Sequence, residues 1–327
     1  MRHTSDGVRR SLGETAVAGL ARAVVGPTLD GSLPLPVGRR WLDLLGRATI
    51  DPRRPVDVRR GSIGGVRCEV VRPRGAARTA PVGAPQGDDH LLLYIHGGGF
   101  VVGSPRSHRP LAGALAHATG ATVVVPDYRL APEHPYPAAA DDVLAVHAAL
   151  GDRRPERLTV AGDSAGGNLA IGLAIALRDR GDRSLDALGA ISPLVDMTMP
   201  PGSWDTSGDA VLRRGTLDIV AGYLAGARAP DDPLVSPRFA DLADLPPTLV
   251  QVGGAEALHD DAVAFVDRVT EVGGDIHLQE WPGMFHVHQA FTPLMAAATH
   301  AIDDLGRFLA AGAIPTDAAT ADGVLPG

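Results

Sequence analysis

Residues 162–166, Gly-Asp-Ser-Ala-Gly, have the composition of a turn that presents a nucleophilic serine. Ser164 stands between a short β-rich run, residues 158–161, and an alanine-rich stretch with helical spacing, residues 165–180. In a sharp turn from strand to helix the serine takes strained backbone angles, and flanking glycines keep side chains out of the turn. The pattern predicts that Ser164 is the nucleophile of an acyl-transfer reaction, with a plain strand-to-helix turn as the alternative.

A second glycine-rich segment, His-Gly-Gly-Gly-Phe at residues 96–100, follows another β-rich run. Backbone without side chains can direct N–H groups at an oxygen that gains negative charge during acyl transfer. Gly98, Gly99 and Ala165, the residue after the serine, are therefore the predicted donors of an oxyanion hole. His96 is expected to hold this loop by hydrogen bonds and not to react. No G-x-x-x-x-G-K or G-x-G-x-x-G pattern occurs, so a phosphate-binding loop is not predicted.

The predicted general base is His286, in the loop after the last β-rich run at residues 276–280. That is where a site with the chain order serine, acid, histidine presents its base. His288, at the start of the following helix, is the alternative. Two histidines in an H-x-H pair could also bind a metal ion, but no H-E-x-x-H motif accompanies them, so no metal is predicted.

The acid of the same chain order must lie between the nucleophile and the base. Glu256 follows the β-rich run at residues 248–252 almost directly. Asp260 and Asp261 resemble the first turn of the next helix, where acids favour the helix macrodipole. Glu256 is therefore the predicted acid, and Asp260 remains an alternative.

Several motifs together resemble a known family, the bacterial hormone-sensitive-lipase-like carboxylesterases of the α/β-hydrolase superfamily, which include monoterpene lactone hydrolases and acetyl hydrolases. The resemblance implies an α/β-hydrolase fold: a mostly parallel sheet of about eight strands, helices on both faces and a helical cap. The motifs are HGGGF at 96–100, DYRLAPEHPYP at 127–137, GDSAGG at 162–167, DPLVSP at 232–237, GGAEALHDD at 253–261 and the segment 281–289.

The same resemblance assigns roles to individual residues. The family's acid occupies the position of Glu256, thirty residues before His286, although many members have aspartate there. Asp163, with His96 and Gly97, is expected to support the catalytic loops without taking part in the chemistry.

The elements that must hold these residues alternate between β-rich runs and helical stretches from about residue 91 to residue 311. This alternation predicts a parallel sheet covered by helices on both faces, with its first strand near residues 67–72. The predicted division is an N-terminal cap segment (1–50), a core in two parts (51–196 and 237–313), a cap insertion (197–236) and a flexible tail (314–327). A mobile surface loop is expected at residues 75–89.

Composition removes several other classes of function. All 30 basic residues are arginine, so no mechanism that needs a lysine is possible. Residues 1–80 hold 15 arginines and 7 acids, within a net charge of −8, but no basic run predicts a nucleic-acid partner. Cys68 is the only cysteine, which excludes an intrachain disulfide and favours the cytoplasm. No apolar run approaches the length of a membrane span, so no stable membrane anchor is expected.

The predicted function is hydrolysis of small esters, short-chain acyl or lactone, through an acyl-enzyme and without a cofactor. The expected partner is a small-molecule ester, and the protein is expected to be a monomer or a homodimer. Amide deacetylation of a small natural product is the alternative, because its chemistry is the same. A non-catalytic ligand receptor is disfavoured, because Ser164, Glu256 and His286 are all present.

Overall fold

The computed structural model describes most of the chain. The described residues are 2–3, 11–75, 90–153, 155–182, 184–200, 202, 204, 207–213, 216, 223–224 and 228–312. The tail predicted at 314–327 and the loop predicted at 75–89, apart from its first residue, lie outside them, as do 15 of the 40 residues of the predicted cap insertion.

One mixed sheet organises the described part of the chain, where it has nine strands in the order β1-β9-β8-β7-β6-β4-β5-β3-β2. The pairs β2–β3 and β3–β5 are antiparallel, and all other neighbours are parallel. This confirms the predicted α/β-hydrolase architecture, to which β1 adds only two residues at one edge. The strands are β1 Arg2–His3, β2 Val56–Ile63, β3 Val66–Pro73, β4 His90–Ile95, β5 Thr122–Pro126, β6 Arg157–Asp163, β7 Ala187–Ile191, β8 Thr248–Gly253 and β9 Ile276–Trp281.

The first long strand, β2, is not in the predicted set. It forms a hairpin with β3 at the far edge of the sheet, and most of its residues are half-buried or exposed. An edge strand that faces solvent does not need an apolar run, so the hydrophobic pattern gave no signal for it.

Helices cover both faces of the sheet, as predicted. Successive residues of β4 point to opposite faces. Leu92 and Tyr94 belong to the core cluster that includes the helices Arg109–Thr119 and Ala296–Ala311, whereas Leu91 and Leu93 belong to the cluster on the other face. Because both faces are buried, the central strands are continuously apolar. The helices are α1 Leu12–Val24, α2 Gly26–Leu29, α3 Leu35–Ala48, α4 Arg109–Thr119, α5 Ala138–Gly151, α6 Ala165–Asp179, α7 His259–Glu271 and α8 Ala296–Ala311.

The parallel strands place the predicted site at one edge. Strands β4, β6, β8 and β9 run in the same direction, so the segments that follow them meet where the strands end. These segments carry the glycine loop, Ser164, Glu256 and His286 respectively. Within the described residues, no helix is long and apolar enough to cross a bilayer.

Candidate active site

Ser164 lies in the sharp turn between β6 and α6. Its backbone angles are φ 54° and ψ −119°, outside the regions that a side chain normally permits. The turn needs glycine at Gly166, because a Cβ there would lie 2.0 Å from the carbonyl oxygen of Ile95. The turn therefore exposes the hydroxyl at the end of the strand and places it at the N-terminus of a 15-residue helix.

His286 lies in the loop after β9, where the sequence places it. Its Nε2 is 2.9 Å from Ser164 Oγ, within hydrogen-bond distance. The side chain is almost fully buried, so its orientation is fixed by packing. The serine and the histidine, 122 residues apart in the sequence, therefore have the arrangement that a nucleophile and its general base require.

Glu256 lies behind His286 and is completely buried. Its Oε2 accepts hydrogen bonds from the Ser192 hydroxyl (2.8 Å) and the Gly253 N–H (2.9 Å). Its Oε1 is 3.8 Å from His286 Nδ1, and neither of these two atoms has a hydrogen-bond partner among the described residues. The carboxylate thus faces the imidazole at a distance that must shorten when the imidazole becomes charged.

Asp260, the alternative acid, is not part of this arrangement. Its carboxylate is 60% exposed and lies 3.0 Å from His259 Nδ1 in the first turn of α7. The structure brings Glu256, and not Asp260, to His286.

The buried acids control the charge of His286. Burial disfavours the imidazolium and lowers the pKa of His286, whereas the Glu256 carboxylate that faces Nδ1 makes the largest contribution that raises it. Asp209 and Asp163 add smaller contributions of the same sign. The pKa of His286 therefore lies above its ordinary value of 6.5.

His288, the alternative base, lies in a different environment. It starts a 3₁₀ helix, His288–Phe291, and not the predicted α-helix, which begins at Ala296. Its ring packs at a tilt on Trp281, with 5.7 Å between the ring centroids, and burial lowers the pKa of His288 to about 3. Neither ring nitrogen of His288 has a hydrogen-bond partner in the described part of the chain, so this histidine remains neutral. Unlike His286, it is not part of the lining of the cavity that contains Ser164.

The glycine loop after β4 turns beside Ser164. The Gly98 carbonyl oxygen accepts hydrogen bonds from the N–H groups of Val101 and Val102, which closes the turn. The N–H groups of Gly98 and Gly99 have no acceptor among the described residues, and both glycines line the same cavity as Ser164 and His286. These N–H groups can therefore donate to a substrate oxygen, together with Ala165 at the first position of α6.

His96 and Gly97 support this loop. Nδ1 of His96 lies 2.9 Å from the Gly97 carbonyl oxygen, and the His96 ring stacks on Tyr128 with 4.2 Å between the ring centroids. Burial and the neighbouring His108 lower the pKa of His96 to about 3, so it is neutral. The Gly97 N–H donates to Asp163 Oδ1 at 3.0 Å, and a Cβ on Gly97 would lie 2.2 Å from Asp163 Oδ2. Asp163 therefore ties the nucleophile turn to the loop.

His108, which precedes α4, is not among the site residues predicted from the sequence. Its Nε2 is 3.4 Å from Asp163 Oδ2, and its side chain is part of the cavity wall. No motif surrounds His108 in the sequence, and only the fold brings it to Asp163.

An apolar cavity of about 340 Å³ opens above Ser164 and His286. Its volume is in the usual range for small-molecule sites. Two stretches far apart in the sequence build about half of the walls, the N-terminal helices α1–α3 and the described residues between 194 and 216. Leu29, Leu45, Leu194, Trp204 and Leu212 are typical of the lining. The site can therefore accept an uncharged organic group next to the nucleophile.

The chain is similar to known proteins in sequence and in fold. A family described as alpha/beta hydrolase fold matches residues 92–290. The chain is 42% identical to an acetyl-hydrolase of Streptomyces hygroscopicus over 227 residues, 68% of this chain and 76% of that protein. It is 36% identical to an esterase of Acinetobacter venetianus over 276 residues, 83% of this chain and 87% of that protein. A crystal structure of an esterase from the bacterial hormone-sensitive lipase family is 36% identical, with a TM-score of 0.82, over 93% of this chain and 99% of that one.

Proposed function

The chain belongs to the α/β-hydrolase family, among the bacterial hormone-sensitive-lipase-type carboxylesterases. We propose that Ser164, His286 and Glu256 form its catalytic triad. The observation that carries the proposal is the 2.9 Å separation between Ser164 Oγ and His286 Nε2. This separation occurs in a strained turn at the floor of an apolar cavity, where an ester carbonyl can reach both the nucleophile and the loop N–H groups.

The first half of the reaction acylates Ser164. His286 Nε2 accepts the hydroxyl proton while Oγ attacks the ester carbonyl carbon, and the carbonyl oxygen takes the electron pair. The N–H groups of Gly98, Gly99 and Ala165 stabilise this oxyanion, and the positive end of the α6 macrodipole adds to their effect. Glu256 keeps the proton on Nδ1 and stabilises the imidazolium, which requires the 3.8 Å separation to shorten.

The second half releases the acid. Collapse of the tetrahedral intermediate breaks the bond to the alcohol oxygen, which takes the proton from His286 Nε2 as it leaves. A water molecule then gives a proton to His286 and attacks the acyl carbon on Ser164. The second collapse returns the proton to Ser164 Oγ and frees the carboxylic acid.

The cavity supports small, uncharged esters as substrates. Its lining is largely aliphatic, so a short acyl chain or a lactone ring loses little hydration energy on entry. The acetyl-hydrolase relative supports acetyl esters as one such class.

Covalent labelling tests the nucleophile directly. A dialkyl p-nitrophenyl phosphate should phosphorylate Ser164, release p-nitrophenol and stop hydrolysis of p-nitrophenyl acetate. Mass spectrometry of the digested protein should find the added mass on the peptide that contains Ser164. Labelling of any other serine together with loss of activity would overturn the proposal.

The pH dependence of hydrolysis should reflect the raised pKa of His286. Protonated His286 cannot accept the Ser164 proton, so kcat/KM falls as the pH falls through this pKa. The pKa of His286 is raised, with Glu256 as the largest cause that raises it. The acid limb of the plot of kcat/KM against pH should therefore lie at a higher pH than an ordinary histidine would give. The measurement is kcat/KM for p-nitrophenyl acetate from about pH 5 to about pH 9. In Glu256→Gln the limb should move to lower pH, and an unmoved limb would contradict this assignment.

Filling the cavity should change the preference for acyl chains. Leu29→Trp places an indole in the wall, and we expect it to lower kcat/KM for p-nitrophenyl octanoate about tenfold and for the acetate less than about threefold. The matched control is Leu12→Trp on α1, where the leucine is 92% exposed and outside the cavity lining. Equal losses for both esters in Leu29→Trp would mean that the acyl chain does not occupy this cavity.

A further inference from the structure

A buried negative charge lies next to the atoms that stabilise the oxyanion. Asp163 is 2% exposed and precedes the nucleophile. Its Oδ1 accepts hydrogen bonds from the Gly97 N–H and from the Tyr94 hydroxyl, both of which favour the ionised carboxylate. Gly98, the next residue after Gly97, is one of the oxyanion donors. Two like charges so close in a poorly solvated site repel each other, so an uncompensated Asp163 would oppose the transition state.

His108 is placed to compensate this charge. Its Nε2 lies 3.4 Å from Asp163 Oδ2, and its Nδ1 lies 2.9 Å from Ser107 Oγ. The Ser107 hydroxyl donates to the Ser104 carbonyl oxygen and accepts from the Ser104 N–H, so the second lone pair of Ser107 Oγ can accept a hydrogen bond from Nδ1. Both ring nitrogens thus face acceptors, which is the environment of a doubly protonated imidazolium.

The other charged groups around His108 favour the same state. Asp163 faces it from the end of β6 and Asp43 from α3, whereas His96, whose ring centroid is 5.3 Å away, is neutral. Burial lowers the pKa of His108, but the two carboxylates and the backbone of Ser104 outweigh burial and raise the pKa above its ordinary value. Among the described residues, His108 is the one cationic side chain in contact with Asp163.

We propose that His108 is a positioning residue of the esterase site: its imidazolium neutralises Asp163 and holds it against Gly97, so that the oxyanion forms beside a neutral pair. This inference rests on the proposed function of Ser164 and the glycine loop. It requires opposite states of two histidines, because His286 must be neutral to accept a proton while His108 is charged. Activity should therefore fall at alkaline pH as His108 loses its proton.

The first test compares His108→Gln, which keeps a hydrogen-bond donor but loses the charge, with His300→Gln, which changes an exposed histidine on α8. For p-nitrophenyl acetate we expect kcat of His108→Gln to fall about 10- to 100-fold, with KM changed less than about threefold. The alkaline limb of the wild-type profile should be absent from His108→Gln and present in His300→Gln. A folded His108→Gln protein with wild-type kcat and an unchanged alkaline limb would overturn the inference.

The second test separates charge compensation from a purely structural role. In the double variant His108→Gln/Asp163→Asn no carboxylate is left without its cation, so kcat should recover part of the loss seen in His108→Gln. A structural role for the pair predicts instead that the double variant is at least as impaired as His108→Gln, and that result would overturn the inference.

A third measurement does not depend on the folding of any His108 variant used for kinetics. In the Ser164→Ala protein, ¹⁵N chemical shifts of the His108 imidazole should be those of an imidazolium at about pH 7, and neutral-ring shifts would refute the proposal. A different result would refute the proposed function itself, namely a Ser164→Ala protein that is as active as wild type.

Discussion

Replacing Ser164 by alanine should lower kcat for p-nitrophenyl acetate by about 10⁴- to 10⁶-fold. The hydroxyl 2.9 Å from His286 Nε2 is the atom that becomes acylated, and alanine offers no substitute for it. The residual rate comes from water attacking a carbonyl that the loop N–H groups still polarise. Ser32→Ala, which removes an exposed hydroxyl bonded to Asp30, is the matched control and should keep kcat within about twofold.

Substrate binding should be nearly unchanged in Ser164→Ala, because the aliphatic walls of the cavity are intact. Steady-state kinetics and the affinity for an unreactive ether analogue of the ester measure the two effects separately. Retention of more than about one per cent of kcat would mean that another group is the nucleophile.

The second large effect is expected for Glu256→Gln, with a loss of kcat of about 10³- to 10⁴-fold. Ser192 and Gly253 both donate hydrogen bonds to Oε2, so the glutamine carbonyl oxygen should take that position and its amide N–H₂ should face His286 Nδ1. A donor at Nδ1 favours the tautomer with the proton on Nε2, where His286 cannot accept the Ser164 proton.

Asp260→Asn is the control that distinguishes the two acids considered from the sequence. Its exposed carboxylate pairs with His259, and we expect kcat to change less than about twofold. If Asp260→Asn instead lost activity while Glu256→Gln kept it, the assignment of the acid would be reversed. Kinetics of both variants with p-nitrophenyl acetate, at the pH optimum of each, decide between the two results.

The fold, and the grouping of most residues of the proposed site, could be predicted from the sequence for a topological reason. Parallel strands end at a common edge, so residues that directly follow several strands must lie near one another. Ser164 and Gly98 follow buried apolar strands, His286 follows the partly buried β9, and the structure places all three around one cavity. The solvent-facing strand β2 could not be predicted from the sequence, because its residues lack the apolar pattern of the buried strands.

The sequence favours Glu256 over Asp260 as the acid but leaves Asp260 open, because the contacts that hold Glu256 belong to no local pattern. Glu256 and Asp260 are four residues apart, and both follow β8. The side chain of Glu256 turns inward because Ser192, at the end of β7, and Gly253 bind its Oε2. Ser192 belongs to no motif, and its proximity to Glu256 follows only from the pairing of β7 with β8. His108 was missed for a similar reason, because its partner Asp163 is brought to it by the packing of α4 against the sheet.

The separate origin of the cavity walls affects how this protein can diversify. The proposed reacting groups belong to segments fixed by the central sheet, whereas much of the wall comes from α1–α3 and the described residues between 194 and 216. A change in those walls selects a different ester without disturbing the bond-making atoms. Substitution or recombination within the N-terminal fifty residues can thus change the substrate specificity and leave the proposed catalytic residues unchanged. A directed-evolution library confined to α1–α3 would use the same separation.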